Sequence, residues 1–152
     1  MPVTTFDELI AVNLRGVFLT AREGARRMIA AGSRERKDVR ILLTGSIAAS
    51  APESGLAAYS ACKAAVVQMG KVMTVGWMRL GINVNFLSPG YMHTEMTGGW
   101  FDTAGGQQQI ASFPRRRAMG GHDLDGALLY FAGDASSAVT GAELIVDDGQ
   151  SL

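Results

Sequence analysis

TGSIAASAPESGLAAYSACK, Thr44 to Lys63, carries a serine, a tyrosine and a lysine at Ser46, Tyr59 and Lys63, with a turn-forming segment between the first two. Upstream, VRILLTGS (39–46) is a β-branched and leucine-rich run with charge on one side and Gly-Ser on the other. That is the pattern of a strand buried on both faces. Downstream, 56–80 is apolar nearly all round, broken by a polar line through Ser60, Lys63, Lys71 and Thr74. It is predicted to be a long helix covered on more than one side. The stretch therefore reads as strand, loop, helix, with Tyr59 and Lys63 four apart on one helix face, where they can touch.

Such a pair has a chemical use. A tyrosine with a pKa of about 10 is a poor acid or base at neutral pH unless a nearby cation stabilises its phenolate, and a lysine one turn away does so. Ser46, at the carboxyl end of its strand, lies where open α/β sheets place ligand-binding groups. Taken alone, a Y-x-x-x-K pair is more often a surface contact. Here it has company: the serine, a small-residue helix start (AAYSACKAA) that lets a flat ring approach, and a Pro-Gly ending the next apolar run.

Outward from this stretch, Thr5-Phe6-Asp7-Glu8 has the capping-box pattern and opens an apolar-periodic run that Gly32 ends, so a helix is predicted over 6–31. INVNFLSPG (82–90) is a second buried strand stopped by Pro-Gly. Residues 91–121 hold no lasting period and read as a mobile loop with short helical pieces. A short helix over 123–132, a turn over 135–141 and a last strand over 143–148 complete the chain. The order implies an α/β fold of parallel strands with right-handed crossovers, in one domain over 1–152. Three strands are about half the usual six of a doubly wound sheet. The Gly pairs at 98–99, 105–106 and 120–121 follow no predicted strand, so no glycine-rich phosphate turn is found.

At 152 residues the chain can bury a sizeable core. Lys plus Arg and Asp plus Glu balance at 14 each, which gives no reason to expect nucleic acid or an anionic membrane as partner. A small molecule or another protein is expected instead. The single cysteine, Cys62, rules out an internal disulfide, and no Cys/His cluster has metal-ligand spacing. MPVTTFDELI has no basic stretch followed by an apolar run, and no window reaches membrane-span length, so a cytoplasmic location is expected.

At these residues the sequence resembles the short-chain dehydrogenases/reductases. In that family a serine stands thirteen residues before the tyrosine of Y-x-x-x-K, as Ser46 does before Tyr59. VNLRG around Asn13, GINVNFLSPGYMHTEM and DASSAVTGAELIVDDG are similar to further family segments in the same order, so essentially the whole chain is covered. The resemblance implies an NAD- or NADP-dependent oxidoreductase that interconverts a secondary alcohol and a ketone, with a faint lean toward polyols and sugar derivatives. It implies that Tyr59 exchanges a proton with the substrate oxygen, that Lys63 lowers the tyrosine pKa and bonds the nicotinamide ribose, and that Ser46 holds the substrate oxygen. Asn13 would anchor a relay water through its carbonyl, and Pro89, Gly90, the Met92 backbone and Thr94 would line the nicotinamide side.

The sequence also departs from that family. Its VDGG end is VDDG here, with Asp148 where glycine is usual, and its tandem serine is Gly45-Ser46. The family's first half, about 90 to 100 residues with the glycine turn and the residue that selects NAD or NADP, has no counterpart, so the expected fold is the second half of a Rossmann-like sheet. A rival reading stays open: a truncated or degenerate chain without catalysis, acting as an interaction module. In the family the two long helices pack against their counterparts in a partner subunit, which implies a homo-oligomer. Cys62 is expected to be a packed small residue, His93 a solvated one, PRRR (114–117) a solvated turn, and Trp77 and Trp100 core and loop-packing residues.

Overall fold

The computed structural model describes residues 1–152. Three parallel strands, β1 (Val39–Thr44), β2 (Ile82–Pro89) and β3 (Glu143–Val146), lie in the order β1-β2-β3. The helices are α1 (Val3–Ile10), α2 (Val17–Ala30), α3 (Ser33–Arg36), α4 (Ala57–Trp77), α5 (Ala104–Ser112) and α6 (Asp125–Ala132). This is the α/β architecture expected from the alternation of elements. Register pairs Val39 with Ile82 through Thr44 with Leu87, and Phe86 with Glu143 through Pro89 with Val146, so all three carboxyl ends open on one edge of the sheet.

Strand alternation sorts the two faces. Leu43, Ile82, Val84 and Phe86 point into a core with Ala21 and Ala25 of α2 and Val66, Val67 and Met73 of α4. The opposite face is more polar than two buried strands suggest. Arg40 reaches Ser136 Oγ at 3.4 Å and Asp134 at 3.5 Å, while Asn83 Nδ2 donates to Ser137 O and the Asn85 amide spans Val139 O and Ala142 N–H. The two asparagines satisfy backbone groups of the turn before β3 that the sheet itself cannot reach.

Three sequence expectations change. The first helix starts at Val3 with Pro2 as its cap, and Thr5 makes no capping bond; Pro2 has the helix-ready φ of −63°, and its carbonyl accepts from Phe6 N–H at 3.2 Å. That helix is not one uniform rod, because Ala11–Gly16, around Asn13, winds as a π-helical segment between α1 and α2. In α4 the polar line through Ser60, Lys63, Lys71 and Thr74 is split, with Lys63 and Thr74 buried and Lys71 exposed. Thr74 Oγ1 lies within bonding distance of Gly70 O and Val84 O, and the exposed stripe runs instead through Ala61, Ala64, Gln68, Val72 and Val75.

Gly70 is where α4 meets the sheet. A β carbon there would lie 2.2 Å from Phe86 Cε1 and 2.7 Å from Leu43 Cδ1. Alanine gains about 0.5–1 kcal/mol of helix propensity, but overpacking a closed core costs about 1–3 kcal/mol. Gly70→Ala is therefore expected to lower the denaturant midpoint, as read by urea unfolding; an unchanged or higher midpoint would show that the Phe86 ring moves aside freely.

Candidate active site

The loops leaving the carboxyl ends of β1, β2 and β3 enclose a cleft of about 750 Å³. Ser46, Tyr59, Pro89, Gly90, Met92 and Thr94 all line it. Ser46 follows β1 in extended backbone and caps the short helical turn Ile47–Ala49, its Oγ accepting from Ala48 N–H at 3.1 Å. Tyr59 rises from the first turn of α4. The preceding Gly45 has no room for a side chain, because a β carbon would lie 2.2 Å from Ser88 Oγ, which in turn donates to Glu143 at 2.6 Å.

Burial holds the Tyr59 phenol above its ordinary pKa, and the facing Ser46 hydroxyl works in the opposite direction. The depression expected from Lys63 is therefore absent from this arrangement. Lys63 has spent its approach elsewhere: its Nζ donates to Thr44 O at 3.1 Å and sits 5.5 Å from the centroid of the Tyr59 ring, beneath the ring rather than at the hydroxyl. Burial also lowers the lysine's own pKa, slightly opposed by Cys62. Lys63 opens onto a second groove of about 620 Å³ beside the outer edge of β1, shared with Arg40 and with Thr44, which lines both spaces.

Asn13 lines neither space. It lies on the π-helical segment, which packs against α4, and its Nδ2 donates to Leu9 O at 3.3 Å. Cys62 is fully buried with its thiol toward the same carbonyl, in keeping with a packing role. Wide π turns of this kind recur at functional sites because they shift the hydrogen-bond ladder locally.

Gly90 lets the end of β2 touch the end of β3. A β carbon there would lie 2.5 Å from Gln150 Oε1 and 2.7 Å from Asp147 Cβ. Gln150 then takes the part of a strand residue: its Oε1 accepts from Tyr91 N–H at 2.6 Å and its Nε2 donates to Tyr91 O at 3.1 Å. Asp147 is buried; burial alone would raise its pKa, but bonds from the Ser151 hydroxyl and from the N–H groups of Gly149 and Ser151 outweigh that and hold it below the usual carboxylate range. A depressed folded-state pKa contributes stability above the unfolded value of about 3.9 that is lost as pH falls through the folded one. Asp147→Asn is expected to cost roughly 1–3 kcal/mol at pH 7, with the gap to the parent closing in acid. Equal thermal melts at neutral pH would refute this.

Residues 91–121 are more ordered than a mobile loop. Met92 bridges to Met119, Tyr91 stacks on Phe113 at 5.7 Å, Phe101, Phe113 and Met119 are buried, and α5 is capped by Thr103, whose hydroxyl accepts from Gly106 N–H. PRRR is the exposed turn expected, with two of its arginines ion-paired. Arg117 forms a fork on Asp123 at 2.9 and 3.1 Å and donates to Asp148 at 2.7 Å, where Arg115 also arrives at 3.1 Å. Asp148 itself has a φ of 57°, the left-handed region that explains glycine as the usual residue there and that aspartate tolerates better than most. His93 is exposed, with its ring edge-on to Phe101. Trp77 packs on the core, whereas Trp100 forms part of the cleft wall together with Glu53, Met96, Gln109 and Gln150. Sequence reasoning found no role for those last four, since none stands in a periodic or motif context.

Parallel strands whose carboxyl-end loops carry a serine and a tyrosine into one cleft define a Rossmann-like α/β protein. A family profile described as enoyl-(acyl carrier protein) reductase matches residues 1–151. The chain is 31% identical over 147 residues to 2-(R)-hydroxypropyl-CoM dehydrogenase of Xanthobacter autotrophicus, covering 96% of this chain and 57% of that protein. It is 32% identical over 152 residues to an NAD-dependent glycerol dehydrogenase of Listeria innocua, covering 100% and 58%. A crystal structure of a gluconate 5-dehydrogenase from Burkholderia cenocepacia, in complex with NADP and tartrate, superposes with a TM-score of 0.90 at 34% identity, covering 99% and 57%. The chain belongs to the short-chain dehydrogenase/reductase family, and it spans somewhat over half the length of the relatives it matches.

Proposed function

We propose that this chain forms the catalytic half of an NAD- or NADP-dependent oxidoreductase that interconverts a secondary alcohol, of polyol or sugar-derived type, and a ketone. The observation that carries the reading is that Ser46 and Tyr59 face one cleft with Pro89, Gly90, Met92 and Thr94 at the carboxyl ends of parallel strands. The residues present suit a nicotinamide cofactor. Gly90 and Met92 line the cleft, and the buried Lys63 ammonium beneath the Tyr59 ring has one protein acceptor, leaving two N–H donors for ribose hydroxyls. When bound, the nicotinamide supplies hydride acceptance or donation.

The chain's own groups handle the proton. Ser46 Oγ holds the substrate oxygen, and Tyr59, a phenol whose pKa burial moves upward, donates its O–H to a carbonyl or, once deprotonated, takes the proton of an alcohol. Lys63 supplies the nearby positive charge that a phenolate requires. Asn13 acts on this pair through its backbone and a relay water. The printed names of relatives, dehydrogenases acting on glycerol and gluconate among them, support a hydroxylated substrate. NAD and NADP both remain within this reading, as do a cytoplasmic location and a homo-oligomer through the helices α1–α2 and α4. No helix is long and apolar enough to cross a membrane.

The test is direct. A protein that joins this chain to a family-type half carrying the glycine-rich cofactor turn is mixed with each oxidised cofactor and a panel of secondary alcohols, and reduced nicotinamide is followed by absorbance; the 152-residue chain alone is not expected to bind either cofactor usefully. Turnover with a polyol is expected, and its absence across the panel in both directions would refute the proposal.

A further inference from the structure

The charge inventory of the cleft wall narrows the substrate class. Apart from the phenols Tyr59 and Tyr91, the ionisable side chain among the lining residues is Glu53, on the segment between the Ile47–Ala49 turn and α4, and no lysine, arginine or histidine side chain lines the cleft. The nearby arginines of the 91–121 segment are committed elsewhere: Arg115 is ion-paired to Asp148, and Arg117 to Asp123 and Asp148. Glu53 is exposed at the cleft rim, and partial burial there holds its carboxyl above its ordinary pKa with no cation opposing that rise. Much of the remaining wall is apolar, including Ile47, Met96 and Trp100.

Facing polar groups complete the pattern. Trp100 Nε1 donates to Gln109 Oε1 at 2.7 Å, which fixes the amide with its NH₂ group as the end left for a ligand. The wall thus offers a carboxylate that accepts hydroxyl protons and an amide that donates to hydroxyl oxygens. An anionic ligand would lose hydration against the apolar wall, meet a like charge at Glu53 and find no cationic side chain in the wall to pair with. A neutral polyol suffers none of these penalties, and a charge-assisted O–H to Glu53 favours it.

We infer that the cleft selects uncharged polyols and hydroxyketones over their carboxylate counterparts, with Glu53 as the specificity-determining residue. This deepens the proposed function and rests on its placing the substrate in this cleft. Among the relatives, the glycerol dehydrogenase carries the neutral type of substrate in its name and the gluconate dehydrogenase the anionic type.

The matched probes are threitol and threonate, which differ by a terminal CH₂OH or carboxylate. Binding to the 152-residue chain, and to any longer protein containing it, is read from the indole N–H resonance of Trp100, assigned with Trp100→Phe, and NADH or NADPH formation is recorded separately. Threitol is expected to bind at least about tenfold more tightly than threonate, a ratio within reach of one like charge in a half-dry cleft. Glu53→Gln should bring the two within about threefold and Glu53→Lys should reverse them. Equal or tighter binding of threonate by the parent, a ratio untouched by both substitutions, or no saturable shift with either probe overturns the inference. A threitol preference without hydride transfer upholds it while refuting the dehydrogenase reading.

Discussion

Tyr59→Phe is expected to lower turnover by about 10²–10⁴-fold in a protein that contains this chain and turns over a polyol, because the change removes the proton-transferring oxygen and leaves the ring in place. A thousandfold loss corresponds to about 4 kcal/mol of barrier. The structure says why cofactor affinity should stay nearly constant: the ring's packing over Lys63, not its hydroxyl, sets the lysine's position, together with Thr44 O. Lys63→Met should reduce both turnover and cofactor affinity, since it takes the donor for the ribose and the positive charge at once. The measurement is steady-state kinetics paired with cofactor titration. Turnover within tenfold of the parent for Tyr59→Phe would show that another group carries the proton.

The second large effect concerns assembly. Val72 is 64% exposed and Val75 72% exposed on the outer stripe of α4, Val12 is 71% exposed beside Asn13, and Leu129 is 73% exposed on α6. On α4 the stripe also carries Ala61 and Ala64, small residues that allow close helix approach. At about 25 cal/mol per Å², apolar area on the order of 1,000 Å² left in water forfeits roughly 25 kcal/mol, more than the 5–15 kcal/mol net stability of an ordinary domain. The purified chain is therefore expected to be a helix-mediated oligomer or to bind hydrophobic dyes. Size exclusion with light scattering checks this, and Val72→Glu with Val75→Glu should shift the population toward smaller species. A monodisperse monomer with a sharp melt and no dye binding would contradict it.

Sequence by itself determined the α/β alternation, the three strands and the path of the two long helices, because apolar period and Gly or Pro punctuation are local properties. It also identified Ser46 and Tyr59, whose partnership in one cleft is fixed by a short strand, a loop and a helix start in direct succession. Tertiary structure decided the rest. α5 was illegible because AGGQQQIAS is weak in helix propensity, yet Gly106 is required there: a β carbon would lie 2.0 Å from Trp100 O. Lys63 and Thr74 look solvated on a helix wheel but find Thr44 O and Val84 O across the sheet, acceptors distant in sequence. Glu53, Gln109 and Gln150 reach the cleft from three separate segments, and Arg117 joins Asp123 to Asp148 across 25 residues of chain. Hydrogen bonds, desolvation and charge pairing depend on distance in space. A sequence fixes those distances only within one turn or one strand, so the placing of Ser46 and Tyr59 was readable from the chain while the wall around them was not.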